Sequence, residues 1–141
     1  MTERELNDKK KEYLLEYKRI HRKIQSLENQ RRSLVETMRS AKAIEYSDMP
    51  HGSKLSDLSD YIVKLDRLIA EIEKYEKKLR IKRLDIERSI VSLDNGVESD
   101  VLRKHYIELK SFETIACELS YTYRHITRIH GWALQHLKIV Y

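Results

Sequence analysis

The chain has 141 residues, a formal net charge of +5, 36% charged residues and 40% apolar residues. With only three glycines and one proline, this composition favours long helices over sheets or disorder. Cys117 is the single cysteine, which excludes an intramolecular disulfide and the cysteine-rich zinc patterns. We expect it to be a small buried apolar residue rather than a reactive thiol.

Apolar residues recur at alternating steps of three and four over two long segments, which predicts two coiled-coil helices. Polar residues interrupt the first stripe at Lys10 and Arg31 and the second at Glu76 and Arg83. The first stripe comprises Leu6, Tyr13, Tyr17, Ile20, Ile24, Leu27, Leu34, Met38 and Ala41, and the second comprises Leu55, Leu58, Ile62, Leu65, Ile69, Ile72, Leu79, Ile86, Ile90 and Leu93.

A turn is predicted near residues 45–54, where Asp48, Pro50 and Gly52 are turn formers. A short connection between two long helices favours an antiparallel hairpin, which we place at residues 1–96. Gly96 is expected in the left-handed position that ends a helix. The second helix has a wide apolar stripe, which predicts a homodimer or higher oligomer through the hairpin. Alternatively, these residues cover one side of a monomeric hairpin.

Residues 97–141 predict a second unit of three short helices, with breaks at 109–111 and 120–122. Each helix has apolar residues at the spacing of a half-buried helix. A three-helix core with an exposed polar and basic stripe on its last helix is typical of a helix-turn-helix. The inward residues are Val101, Leu102, Tyr106 and Leu109, then Phe112, Ile115, Ala116 and Leu119, then Ile126, Ile129, Ala133, Leu134 and Leu137.

Candidate DNA-binding residues lie at the helix starts and on the outer face of the last helix. Ser111 and Thr122 are expected to cap the second and third helices, whose free N–H groups favour a phosphate. Arginine can pair with two acceptors of guanine, and threonine offers a hydroxyl and a methyl to a base. The outward residues are Tyr123, Arg124, Thr127, Arg128 and Trp132. Alternatively, the two arginines belong to an ordinary solvated face and Tyr123 covers the turn.

Other residues near the end of the chain leave more than one interpretation. Trp132 either contacts a phosphate through its indole N–H or packs against the hairpin, and Lys138 is expected to contact phosphate. Gly131 costs about 1 kcal/mol relative to alanine inside a helix. Its backbone must therefore lie close either to another element or to DNA. His125 and His130 lack a third ligand at a suitable spacing, so we expect no metal.

Residues 99–137 resemble region 4 of sigma-70-type factors. The motif runs through Ser111-Phe112-Glu113-Thr114-Ile115-Ala116 and Leu119-Ser120-Tyr121-Thr122, flanked by Val101-Leu102, Tyr106, Ile126, Ala133-Leu134 and Leu137. This resemblance implies DNA contact at Tyr123, Arg124, Thr127, Arg128 and Trp132. One departure is Thr114, where family members often carry glutamate, so half of a reciprocal capping box is missing.

The whole layout is similar to small phage and prophage regulators of the ArpU and RinA type. A long helical hairpin, the loop Ser47-Asp48-Met49-Pro50-His51-Gly52-Ser53 and the sigma-like end carry this likeness. It implies a phage-encoded activator of late genes, with double-stranded DNA and RNA polymerase as partners.

Two other functions stay open. A small terminase subunit also joins a helix-turn-helix to long helices, but its DNA-binding motif usually comes first in the chain. A pure interaction module would instead bind polymerase or a repressor through the acids of residues 98–118. An enzyme and a cofactor are not expected, because the chain has no nucleophile–base pairing and no phosphate-binding glycine loop. Without a signal peptide or a membrane span, we expect a cytoplasmic protein.

Overall fold

The computed structural model describes residues 2–47 and 52–139, and within them it contains helices and no strand. The predicted all-α class is therefore confirmed. The central residues of the turn predicted near 45–54, numbers 48–51, lie outside the described residues. In order, the helices are α1 (Glu3–Ser47), α2 (Gly52–Val91), α3 (Gly96–Leu102), which continues as a π-helical turn (Arg103–Ile107), α4 (Phe112–Leu119) and α5 (Tyr123–His136).

The chain divides into two compact units, and the division differs from the one predicted at residue 96. Unit 1 comprises Met1–Ile20 and Leu79–Tyr141, and unit 2 comprises His21–Lys78. The start of α1 and the end of α2 belong to unit 1 because their apolar residues share a core with the C-terminal helices. In the described residues, no helical stretch combines the length and apolar character that a bilayer span needs.

The main core of unit 1 contains residues from α1, α2, α3, the π turn and α5. Leu14, Ile86, Ile90 and Leu102 are fully buried in it. Burial of each such side chain contributes about 1.5–3 kcal/mol, so this core attaches the two long helices firmly to α5. Its buried members are Leu14, Tyr17, Ile86, Ile90, Leu93, Leu102, Tyr106, Ile107, Ala133, Leu134 and Leu137.

A second, smaller core lies among α3, α4 and α5. It buries Val101, Ile115, Ala116, Ile126 and Ile129, with Val97, Phe112 and Leu119 packed against it. The inward positions predicted for the last helix are therefore all buried. The prediction that Cys117 is buried is wrong. Cys117 is exposed, because α4 turns Ile115, Ala116 and Leu119 inward.

The predicted role of Gly96 is also wrong. Gly96 is the first residue of α3, and Asn95 is the N-cap, whose side chain accepts hydrogen bonds from the N–H groups of Val97 and Glu98. Among the described residues no glycine has a positive φ, and the left-handed backbone positions are Leu109 at 59° and Ser120 at 60°.

Unit 2 leaves part of the predicted apolar stripe exposed. Leu27 of α1 and Ile72 of α2 are buried, whereas Ile62 and Ile69 are 50% and 37% exposed. An open groove of about 840 Å³ is lined by residues of both helices, among them Leu27, Leu34 and Leu68. The two helices of unit 2 therefore do not cover each other's apolar residues completely.

Lys10, which interrupts the first apolar stripe, has a structural partner in unit 1. Its side chain is buried, and its Nζ donates to the carbonyl oxygens of Leu134 at 2.8 Å and Gln135 at 3.3 Å. These carbonyls belong to the last turn of α5, where a positive charge is favourable. A hydrogen bond from the Gln135 amide to Glu3 lies beside them. Lys10 therefore attaches α1 to the C-terminal end of α5.

We expect Lys10→Met to lower the free energy of unfolding by about 1–3 kcal/mol, because two carbonyls lose a charged donor. Methionine keeps most of the apolar stem, so the loss reports mainly on the ammonium. Urea denaturation measures it, and Lys9→Met at the exposed neighbouring position is the control. Equal stability of the two variants would show that Lys10 does not anchor α5.

Candidate nucleic-acid interface

The segment from Ser111 to His136 has the helix boundaries that the sequence predicts. The Ser111 hydroxyl accepts from the Thr114 N–H at 3.2 Å, and the Thr122 hydroxyl accepts from the His125 N–H at 3.1 Å. Both predicted N-caps are thus confirmed. Ser120 ends α4 in the left-handed conformation, and the Tyr121 N–H returns to the Ala116 carbonyl at 2.9 Å. This short turn fixes how the chain leaves α4 and enters α5.

A cluster of rings joins the start of α4 to the middle of α5. His105 stacks on Phe112 with ring centroids 4.1 Å apart, and the edge of Phe112 meets His130 at 4.9 Å. The His105 ring nitrogen Nδ1 also lies 2.8 Å from the Lys110 carbonyl oxygen. Sequence reasoning found no role for His105, because its ring partners lie on other helices and leave no periodic signal.

His130 forms a buried hydrogen bond within this cluster. Its Nε2 lies 2.7 Å from the Tyr106 hydroxyl. Burial, with smaller contributions from His105 and Lys11, lowers the pKa of His130 to about 4, and burial raises the pKa of Tyr106. Both partners are therefore neutral at physiological pH, and His130 has a structural role in this cluster.

The outer face of α5 presents two arginines without acidic partners. Arg124 and Arg128 are exposed, stand one helical turn apart, and make no ion pair with any described residue. Residues 121–141 contain no Asp or Glu, so nothing on the same segment neutralises them. Tyr123, at the start of the helix, is 51% exposed. These residues form a cationic surface at the N-terminal half of α5.

Thr127 is less available than predicted. It is half-buried, and its hydroxyl donates to the Arg124 carbonyl oxygen at 2.8 Å. The hydroxyl proton is thus already used within the helix. The lone pairs and the methyl group remain the parts of Thr127 that can serve a base contact.

An aromatic row lies on another side of α5. The Tyr121 and His125 rings meet edge to face with centroids 4.9 Å apart, and His125 meets Trp132 in the same way at 6.5 Å. Trp132 is 47% exposed, which leaves half of its ring surface accessible. Among the described residues, no group of three His, Cys, Asp or Glu side chains is placed to hold a metal.

The predicted site residues do not all lie together. Thr122, Tyr123, Arg124, Thr127 and Arg128 share the first two turns of α5. Lys138 is ten residues after Arg128 in the sequence and lies outside the helix, because α5 ends at His136 and Leu137 is extended. Lys138 is exposed beyond the end of α5 and lines a cleft with Glu98 and His136.

Several acidic residues of this unit are paired with basic ones. Glu118 binds Lys110 at 2.7 Å and Lys104 at 3.1 Å, and Lys110 also binds Glu108 at 3.1 Å. Hydrogen bonds from Lys110 and then Lys104 lower the pKa of Glu118. Glu98 is buried and lies 3.0 Å from the His136 ring. Among residues 97–139, the lysines and arginines that make no ion pair with a described residue are Arg124, Arg128 and Lys138, on α5 and just beyond its end.

Comparisons with models of known protein families, with curated proteins and with solved structures return no match for this chain.

We expect the fold to lose stability on acidification because of His130. In the folded protein its pKa is about 4 rather than the ordinary 6.5, so the unfolded chain takes up the proton first as the pH falls. The contribution of neutral His130 to the free energy of unfolding is fully present above about pH 6.5. It decreases by about 3 kcal/mol as the pH falls to about 4.

The measurement is urea unfolding at several pH values between 7 and 4 for the parent and for His130→Gln. The variant should lose about 3 kcal/mol less than the parent over this range. His125→Gln on the same helix controls for the removal of one histidine. Parallel pH profiles of parent and His130→Gln would contradict the assignment.

Proposed function

We propose that this protein is a sequence-specific regulator of transcription that binds double-stranded DNA through α5. The observation that carries the proposal is the pair Arg124 and Arg128, exposed one turn apart without acidic partners on a helix capped by Thr122. In a helix-turn-helix, the first turns of the second helix contact base edges in the major groove. Here α4 is the first helix of the motif and α5 is the recognition helix.

The chemistry of each residue fits a place in such a complex. Arg124 and Arg128 can each donate two hydrogen bonds to the O6 and N7 atoms of a guanine. Thr127 keeps its methyl group for a thymine. The capped start of α4 at Ser111 and the exposed ammonium of Lys138 suit phosphate oxygens, which position the protein without reading sequence. Tyr123 and Trp132 add exposed ring surface beside them.

The two long helices fit the role of an antiparallel hairpin. In unit 1, Lys82 of α2 pairs with Glu16 of α1 at 2.7 Å and lies over the Tyr13 ring at 3.9 Å. In unit 2, Lys23 of α1 lies over the Tyr75 ring of α2 at 5.9 Å. Higher residue numbers on α1 thus meet lower numbers on α2. The role of phage late-gene activator rests on the resemblance to the ArpU and RinA type, as does polymerase binding.

The alternative of a pure protein-interaction module is less well supported. It relies on the acidic residues between positions 98 and 118, and three of these, Glu98, Glu108 and Glu118, are engaged by His136 or by lysines. A small terminase subunit is disfavoured because its DNA-binding motif usually precedes the long helices, whereas here the proposed DNA-binding helices follow them.

We expect Arg128→Ala to lose sequence discrimination as well as affinity, by about 10- to 100-fold against a mismatched site, because it removes a bidentate base contact. Lys138→Ala should weaken binding to all DNA similarly and flatten the salt dependence by about one unit. Fluorescence anisotropy on matched and mismatched duplexes distinguishes the two effects. Undiminished discrimination by Arg128→Ala would refute the assignment of α5 as the recognition helix.

The DNA sequence that the protein binds can be determined by selection from random duplex DNA. The parent and the Arg124→Ala/Arg128→Ala double variant are tested in parallel. Enrichment of a defined motif by the parent alone supports the proposal. If neither protein enriches a motif, the hypothesis of a sequence-specific regulator is wrong. Capture of purified RNA polymerase then tests the alternative of a protein-interaction module.

We further propose that a second copy of the chain covers the exposed apolar residues of α2 in unit 2. Ile62 and Ile69 are seven residues apart on this helix, at equivalent positions of the predicted heptad pattern. Their exposure beside an open groove leaves a surface that a second hairpin can bury. Two copies would then present two recognition helices to two half-sites.

Ile62→Lys/Ile69→Lys should dissociate this dimer, since each buried isoleucine contributes about 1.5–3 kcal/mol and each is present twice. Sedimentation velocity should show the parent as a dimer and the double variant as a monomer. Val91→Lys, at the exposed end of α2, controls for added charge. A parent that sediments as a monomer would remove this proposal.

A further inference from the structure

A cleft of about 470 Å³ lies in unit 1 between the first turns of α1 and the side of α5 that carries Thr127, His130, Gly131 and Leu134. The α5 side includes Thr127 and Gly131, and the α1 side includes Arg4, Asn7, Asp8 and Lys11. On α1 these four positions follow the i, i+3, i+4, i+7 spacing, so they share one face of the helix. Thr127 lines the cleft and is followed in the sequence by Arg128 of the cationic surface, so the cleft lies beside that surface.

Gly131 has no structural reason to be glycine. A Cβ added there meets nothing within 4 Å, and its φ is not positive. The neighbouring elements of the protein therefore do not require close approach to this backbone, which removes one of the two explanations drawn from the sequence. Gly131 lies seven residues after Arg124, almost straight along the same face of α5.

The charged side chains at the cleft differ in whether they have a hydrogen-bond or ion-pair partner. Glu3 is hydrogen-bonded to Gln135, whereas Arg4 and Lys11 make no ion pair with any described residue. The positive charge of Lys11 contributes to the lowered pKa of His130, which places this ammonium in the electrostatic environment of α5. Glu3 keeps its negative charge, because its hydrogen-bond partner is the neutral Gln135 amide, so Glu3 and Asp8 are both acids at the cleft.

We propose that this cleft receives a phosphate of the DNA backbone, held by Arg4 and Lys11, with the bare backbone at Gly131 allowing the strand to approach α5. The inference rests on the proposed function and extends it, because it adds the N-terminal turns of α1 to the DNA-binding surface. Hydrogen bonds from a guanidinium and an ammonium are those that a phosphate oxygen accepts most strongly. Glu3 and Asp8 oppose the phosphate and limit the affinity.

The experiment measures the affinity of the full chain for its selected duplex at several salt concentrations. Arg4→Ala and Lys11→Ala should each weaken binding about 3- to 10-fold and make the salt slope less negative by about 0.9. Asp8→Asn should strengthen binding about threefold. The preferred sequence should not change, because phosphate contacts carry no sequence information. Lys9→Ala, on a different face of α1, is the matched control.

Gly131→Ala separates function from stability. Alanine favours the helix and meets no neighbour, so this variant should melt at a higher temperature than the parent. Its DNA affinity should nevertheless fall at least about 10-fold because the methyl group blocks the approaching strand. A gain in thermal stability shows that any loss of binding is not a folding defect.

The outcomes distinguish this inference from the proposed function. If Arg128→Ala loses discrimination while Arg4→Ala, Lys11→Ala and Gly131→Ala bind like Lys9→Ala, the cleft is not a phosphate site and α5 alone reads the DNA. Unchanged affinity of Asp8→Asn would count against a phosphate in the same way. A parent chain that binds no duplex DNA overturns both proposals together.

Discussion

The attachment of α1 to α5 is the constraint on which the geometry of unit 1 depends. Leu14 and Tyr17 of α1 share an apolar core with Ala133, Leu134 and Leu137. The Lys10 ammonium adds two hydrogen bonds to carbonyls at the end of α5. A short C-terminal unit could bury only one side of α5 by itself, through Ile126 and Ile129. The long helices supply the second apolar surface, and Arg124, Arg128 and Trp132 of α5 remain exposed.

The helices of the C-terminal segment could be predicted from sequence because their signals are local. Ser111 and Thr122 cap residues only three positions away, and the inward residues of α5 follow a simple helical spacing. The same logic found the exposed stripe of Tyr123, Arg124 and Arg128. Where a single turn decides the structure, a few adjacent residues are sufficient to predict it.

The contacts that the sequence did not predict are those between distant segments. Lys10 looked like an interruption of a coiled-coil stripe, because its carbonyl partners are 124 and 125 residues away. Periodicity assigned Ile62 and Ile69 to the seam between two helices, although it could not show that the groove stays open. The predictions for Gly96 and Cys117 were wrong for a different reason. Glycine often ends a helix and a lone cysteine is often buried. Here Asn95 caps a helix that begins at Gly96, and α4 turns Ile115, Ala116 and Leu119 inward and leaves Cys117 exposed.

The proposed roles of Gly131 and of the cationic surface of α5 have one physical explanation in common. In the proposed complex, α5 would approach DNA only as closely as the surfaces beside it permit, and α1 lies beside Thr127 and Gly131. Any duplex that reaches Arg124 and Arg128 along this face therefore also comes near the first turns of α1. In the proposed complex, the residues there must accommodate phosphate or exclude it, and we propose that Arg4 and Lys11 accommodate it. Under this proposal, the interaction that fixes α5 in place would also determine which phosphates the protein contacts.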